Sequence, residues 1–228
     1  MLNCRLIELY GLTEGLFTIL EPEELEELEE LERKLRSVGK PVFGTDIRIL
    51  GEDDREAGPG ETGEIVGRSR LMMSGYQARE DANREATWVD PSRGRWLRTG
   101  DLGHLDDEGF LYIVDREKDM IISGGQNIYP TDIEVVLPEH PAVAEVAVIG
   151  VPHERWGETP VAVVVLHRGQ VTAASELLEW TNVRVGKQQR ISGVVCRDSL
   201  PRNPNGKILK RELRREYRAE LANAQATI

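Results

Sequence analysis

A chain of 228 residues, 39% hydrophobic and 30% charged, has the length for one large domain or two smaller ones and the composition of a globular protein. Its net charge of −11 argues against a general nucleic-acid binder, which carries a basic face. The 2 cysteines lack disulfide-framework or metal-ligand spacing, the 4 histidines are isolated, and no apolar run nears the roughly 20 residues of a membrane helix, so a reducing cytosol is the expected compartment. The start, MLNCRLIELYG, has no basic region followed by an apolar core and does not read as a signal peptide.

Residues 1–20 read as a short strand and a loop. Within them Tyr10-Gly11-Leu12-Thr13-Glu14-Gly15 places a hydroxyl and a carboxylate between two glycines. Glycine lets backbone approach a ligand closely, and Thr with Glu offers a phosphate donor and a metal acceptor; an ordinary turn is the competing reading. Residues 22–36 predict a helix, with Pro22 at its start, acids in its first turns and a Leu25, Leu28, Leu31, Leu35 stripe. From 38 to 70 the period becomes that of short strands broken by glycines. Gly58-Pro59-Gly60-Glu61-Thr62-Gly63 matches G-x-G-x-x-G letter for letter, but a strand rather than a helix follows it, so no dinucleotide site is assigned there.

Residues 78–88 predict a short helix ending before Asp90-Pro91. The stretch from Trp96 to Glu134 then organises the chain. It holds Asp101 in the turn Thr99-Gly100-Asp101, a hairpin around Gly109, and an apolar strand at 110–114. The charged cluster Asp115-Arg116-Glu117-Lys118-Asp119 follows, then a strand at 120–122 and a turn at Gly124-Gly125. Charges between apolar strands either face solvent or meet a ligand, because buried charge must be paired. A helix is expected over 130–137, strands over 143–151 and 161–166 joined by a polar loop, a helix over 172–183 and a strand over 191–196. The last segment is a proline-stiffened loop with Lys207 at its tip, then a helix with Leu209, Leu213, Tyr217 and Leu221 on one stripe. Basic residues outnumber acidic ones from Lys187 to Arg218. An ammonium at a loop tip suits an anionic ligand that comes and goes; solvated basic residues are the alternative.

Four signatures stand in one order: Y-G-L-T-E at 10–14, R-T-G-D-L at 98–102, D-R-E-K-D-M-I-I-S-G-G-Q-N-I-Y-P from 115, and L-P-R-N-P-N-G-K from 200. Together they resemble the adenylate-forming superfamily, and within it acyl-CoA synthetases, on account of Ser123-Gly124-Gly125, Met73-Ser74-Gly75-Tyr76 and Gly150-Val151-Pro152 with Trp156-Gly157-Glu158. The resemblance implies an α+β fold in three parts: a remnant of the large N-terminal domain (1–37), a β-rich subdomain with the nucleotide turn (38–117), and a mobile C-terminal domain (118–228). It also implies ATP-dependent activation of a carboxylic acid as an acyl-adenylate, then transfer to the thiol of CoA, with ATP, Mg²⁺ and CoA required. By the same resemblance Thr13 would contact phosphate, Glu14 would hold Mg²⁺, and Asp101 would accept the ribose hydroxyls. Arg116 would contact the ribose and phosphate region, and Lys118 would mark the hinge among the nucleotide-binding residues. Gly124 and Gly125 would line a pantetheine tunnel, and Lys207 would be catalytic, bridging carboxylate and phosphate.

The sequence departs from the pattern at Ile122, where some plant ligases carry lysine, and at 185–190, where L-A-x-Y-K-x-P is usual. Family members also carry several hundred residues before the Thr-Glu motif, including a phosphate loop that nothing here matches. The chain is therefore expected to be the C-terminal part of such an enzyme, with an N-terminal fragment of the same enzyme as a possible partner and the acid unspecified. A non-catalytic binding module and adenylation for a carrier protein are the alternatives.

Overall fold

The structure, a computed structural model, describes residues 7–21, 33–51, 53–204 and 206–226. The helix expected over 22–36 falls almost wholly outside these residues. The chain divides into two compact units, Met1–Glu117 and Lys118–Ile228. Both mix sheet and helix, an α+β architecture.

In the first unit, β1 (Glu8–Leu12) and β2 (Gly15–Leu20) form an antiparallel hairpin with Thr13 and Glu14 at its tip, and β3 (Lys40–Pro41) extends it. The second sheet runs β4 (Thr45–Leu50), β5 (Gly63–Ser69), β7 (Gly94–Leu105), β6 (Thr87–Asp90), with β8 (Leu111–Arg116) also on β7. Period-2 alternation places Ile49, Ile65, Leu97 and Leu111 on one face, where they bury with Tyr10 and Phe17 of the hairpin. On the other face Trp96 is fully buried beside Leu50 and Val66, with the Arg48 guanidinium 4.8 Å above its ring.

Here α1 spans only Glu80–Glu85, shorter than the expected 78–88. Thr87, Trp88 and Val89 instead form β6 and pair with Leu97, Trp96 and Arg95. β-Branched and aromatic side chains favour the pleated surface, and the Trp88–Trp96 edge contact at 5.9 Å fixes the choice.

The second unit opens with β9 (Ile121–Ser123) and β10 (Gln126–Ile128), joined by Gly124-Gly125. Their φ values of +59° and +79° are those of a two-residue hairpin turn with both central residues left-handed, which only glycine adopts cheaply. Next come α2 (Pro130–Glu134), a 3-10 turn (Leu137–Glu139), β11 (Val143–His153) and β12 (Gly157–Leu166). The expected polar loop between the last two strands is shorter than the sequence suggests. Pro152, His153, Gly157 and Glu158 all lie in strand register, leaving a tip at 154–156. After α3 (Ala174–Asn182), β13 (Gly193–Arg197) joins β12 in parallel, and α4 (Lys210–Ala226) closes the unit. One face of this sheet packs with α2, the 3-10 turn and α3 through Ile133, Leu137 and Leu177; the other packs with α4 through Leu213 and Tyr217.

Candidate active site

Asp101 is the centre of the site in the first unit. It sits on β7 opposite Arg116 of β8, and the register puts both side chains on one face. Arg116 donates from Nε to Asp101 Oδ1 at 2.9 Å, and the Tyr10 hydroxyl donates to Oδ2 at 2.9 Å. Only 5% of Asp101 is exposed, whereas 46% of the Arg116 side chain is. Burial, with the Asp101 charge beside it, pushes the Tyr10 phenol well above its ordinary range.

A local irregularity aims Asp101. Glu64 pairs with Leu102 and Val66 with Arg98, so Ile65 alone faces the three residues Thr99, Gly100 and Asp101. The Thr99 hydroxyl donates to the Ile65 carbonyl at 2.7 Å and accepts from the Asp101 amide at 3.1 Å, and Gly100 takes φ +67°. Such bulges re-aim side chains at the rims of sheets.

A second pair of acceptors stands nearby on the β1–β2 tip. Glu14 accepts from Thr13 Oγ1 at 2.7 Å and from the Tyr76 hydroxyl at 2.8 Å. These bonds hold its carboxyl below the usual carboxylate range, so it stays ionised at neutral pH. Thr13, Glu14, Tyr76, Arg98, Thr99 and Arg116 together line a cleft of about 360 Å³. The cleft therefore gathers one ionised carboxylate, two guanidinium groups and several hydroxyls, with Asp101 bound to one of those guanidinium groups, the kinds of group a nucleotide needs.

Among the described residues no cluster of three or more His, Cys, Asp or Glu could enclose a metal. Glu14 is an ionised single carboxylate on an open tip. That suits Mg²⁺, which binds through one or two carboxylates with waters and phosphate oxygens completing its shell.

The remaining candidate residues lie in the second unit. Lys118 is exposed and is that unit's first residue. A Cβ on Gly124 would stand 3.0 Å from the Trp156 ring, while nothing lies within 4 Å of one on Gly125. Lys207 is exposed, and its ammonium has no partner among the described residues. Its loop is held from below. Lys207 N donates to Asn203 Oδ1 at 2.8 Å, Asn203 N donates to Lys207 O at 2.9 Å, and Arg202 reaches both the Gly206 carbonyl at 2.6 Å and Glu145 at 2.7 Å. Asn205 lies outside the described residues. The following helix is anchored by Lys210–Glu134 and Arg214–Asp119 ion pairs, each at 2.8 Å. Of the charged cluster, Asp115 is buried, Asp119 is paired, and Arg116, Glu117 and Lys118 face solvent.

Sequence reasoning assigned no role to Tyr10, Tyr76, Glu64 or Arg98. Tyr10 and Tyr76 stand inside motifs singled out from the sequence, Y-G-L-T-E and M-S-G-Y, and Tyr10 is buried, so its hydroxyl needs an acceptor. Their partners lie 91 and 62 residues away.

Comparison with known proteins places these features. The description "AMP-binding enzyme" matches residues 1–77, and "AMP-binding enzyme C-terminal domain" matches 132–207. A long-chain-fatty-acid–CoA ligase of Mycobacterium tuberculosis is 41% identical over 221 residues, covering 95% of this chain and 41% of the relative. A 2-succinylbenzoate–CoA ligase of Bacillus subtilis is 42% identical over 214 residues, covering 93% and 41%. Among solved structures, the o-succinylbenzoate CoA synthetase of Bacillus subtilis in complex with its acyl-adenylate intermediate superposes with a TM-score of 0.79 at 41% identity, covering 92% of this chain and 41% of that one. The ATP-bound MatB of Rhodopseudomonas palustris gives 0.82 at 31% identity, covering 93% and 40%. The chain thus spans about two fifths of the length of the relatives it matches. With both descriptions matched in order along it, the chain belongs to the AMP-binding, adenylate-forming enzyme family.

Proposed function

We propose that this chain is part of an ATP-dependent acid–CoA ligase, supplying the ribose and phosphate side of the nucleotide site and the catalytic lysine. The reaction joins a carboxylate to the α-phosphate of ATP, releases pyrophosphate, and then passes the acyl group to the thiol of CoA with loss of AMP. The single observation that carries this reading is the Tyr10–Asp101–Arg116 arrangement at the edge of the cleft that also holds Thr13 and Glu14.

Asp101 accepts the ribose hydroxyls through lone pairs left free by Tyr10 and Arg116. The Arg116 guanidinium, half exposed, remains available to phosphate. Thr13 donates to phosphate, and Glu14 holds Mg²⁺, which neutralises phosphate charge when bound. Lys207 contributes an ammonium to the incoming carboxylate and the phosphate, on a loop that Asn203 and Arg202 keep in shape. Lys118 is the pivot between the two half-reactions, and Gly124 and Gly125 border the path of the pantetheine arm. Relatives of nearly equal identity are named for a long-chain fatty acid and for 2-succinylbenzoate, so this level of likeness supports the reaction class rather than one acid.

The test is ATP–pyrophosphate exchange with a panel of carboxylates, run on this chain alone and mixed with the N-terminal part of a related ligase. Exchange in the mixture that Lys207→Ala abolishes, while thioester formation from supplied acyl-AMP survives, is the expected result. No exchange in either sample defeats the ligase reading and favours a binding module.

A further inference from the structure

The buried carboxylate of Glu64 has no part in the chemistry above. It stands on β5, 9% exposed, directly before the residue that faces the Thr99-Gly100-Asp101 bulge. A carboxylate in that position is expensive unless something requires it. Its Oε2 pairs with Arg98, the residue that opens the bulge on β7, and the other arm of the same guanidinium pairs with Asp54. The Gly100 backbone amide acts on the same carboxylate and favours its ionised form. Burial, the largest influence, and the neighbouring Glu117 charge oppose this and raise its pKa overall. Glu64 therefore holds the residue that flanks the bulge, and the amide at the bulge's centre acts on its carboxylate. Ile65 holds it between them by accepting from Thr99.

We propose that Glu64 is a positioning residue for the nucleotide: it clamps the bulge through Arg98 so that the Asp101 carboxylate is presented to both ribose hydroxyls at once. The inference rests on the assignment of Asp101 to ribose. Three residues opposite one would leave the turn free to re-register, and the ribose then meets an acid whose direction varies. Fixing Arg98, one end of the turn, removes that freedom. Arg98 itself lines the cleft, so the same pairing sets where its guanidinium lies. A merely structural ion pair would change stability without changing what the site distinguishes.

The experiment compares AMP with 2′,3′-dideoxy-AMP by calorimetric titration on the whole chain. Wild type is expected to favour AMP at least tenfold. Glu64→Gln keeps the shape but not the charge, and is expected to bring that ratio below about threefold. Glu64→Asp draws the charge back by one carbon and should fall between them, which keeps the test usable if Glu64→Gln does not fold. A full wild-type ratio in a folded Glu64→Gln or Glu64→Asp overturns the inference. Amide hydrogen exchange at Gly100 and Asp101 supplies a second readout that needs no nucleotide. A tenfold acceleration confined to these amides in Glu64→Gln supports the clamp, and unchanged exchange overturns it. If wild type shows no preference for the ribose hydroxyls, the assignment of Asp101 fails and the positioning role falls with it, while exchange still decides whether the clamp exists.

Discussion

Asp101 and Arg116 face each other as register partners across β7 and β8, with guanidinium and carboxylate 2.9 Å apart. This pairing is short-range in space but not in sequence, and it fixes one carboxylate oxygen while Tyr10 fixes the other. A pre-oriented acid costs a ligand little to engage. Asp101→Asn keeps the volume and the Tyr10 contact but loses the charge. We expect AMP affinity to fall by roughly 10- to 100-fold, the worth of a charge-assisted hydrogen bond of about 1.5–3 kcal/mol. Calorimetric titration reads this directly, and an unchanged dissociation constant would remove Asp101 from the site.

Tyr10 gives a prediction at alkaline pH. Its phenol is raised by burial first and by Asp101 second. A group with its folded pKa above its unfolded value contributes stability that is complete below the unfolded pKa, about 10 for tyrosine, and lost as pH rises through the folded one. Tyr10→Phe leaves an Asp101 oxygen without its donor and should cost about 1–3 kcal/mol near pH 8. The gap between wild type and Tyr10→Phe in urea midpoint should then narrow above pH 10. A gap that stays constant from pH 8 to 11.5 would show that the hydroxyl is not the titrating group.

The sequence marks Thr13, Glu14, Asp101 and Arg116 as candidates, and the structure sets Thr13 and Glu14 on one hairpin tip and Asp101 beside Arg116, for physical reasons. All four lie in short motifs of polar and charged residues beside glycines or apolar strands, and such motifs stand out in a sequence. The strands around them are marked by apolar runs between glycines, Ile65-Val66 in β5 and Trp96-Leu97 in β7, and these pairs are buried. What escaped reading depends on distant pairing. The 87–90 segment follows a helical composition, yet Trp96 draws Trp88 into a sheet. Pro152 and His153 read as loop, yet they continue a long hairpin whose register Val148 and Ala162 have set deep in the core. Glu64 opens the strand expected after a glycine-rich run, but nothing local in the sequence names its partner, Arg98, 34 residues on.

Asp90 is expected to contribute to the acid limb of the first unit. It is 7% exposed and accepts from the Ser92 hydroxyl and amide, each at 2.7 Å, from the Arg93 amide at 2.8 Å, and from Arg48 at 2.7 Å. These bonds, led by Ser92, lower its pKa to about 2. A depressed folded pKa gives stability that is present above the unfolded value, about 3.9 for aspartate, and is lost as pH falls toward 2. Asp90→Asn should therefore be less stable at neutral pH and should show a flatter loss between pH 4 and 2. Acid titration followed by tryptophan emission tests it, since Trp88 and Trp96 pack beside one another in the same sheet. Parallel acid limbs in the two proteins would assign the transition to other carboxylates.

The second unit should fold without the first. Both faces of its sheet are covered by its own helices, and its core, from Ile121 to Leu213, draws among the described residues on none before Lys118. That burial must offset the chain entropy of 111 residues, a usual length for an independent domain. We expect residues 118–228, produced alone, to unfold cooperatively in urea with coincident transitions by circular dichroism and tryptophan fluorescence. Asp119 then matters at the new terminus, because it ties the start of the unit to Arg214 in α4 at 2.8 Å with both side chains 21% exposed. Asp119→Asn should lower the midpoint by the equivalent of about 1 kcal/mol, between the worth of an exposed and a buried pair. The loss should shrink in 1 M salt, which shortens the screening length to about 3 Å. A fragment that remains unfolded, or folds only when the first unit is added, would show that the sheet depends on contacts outside its own 111 residues.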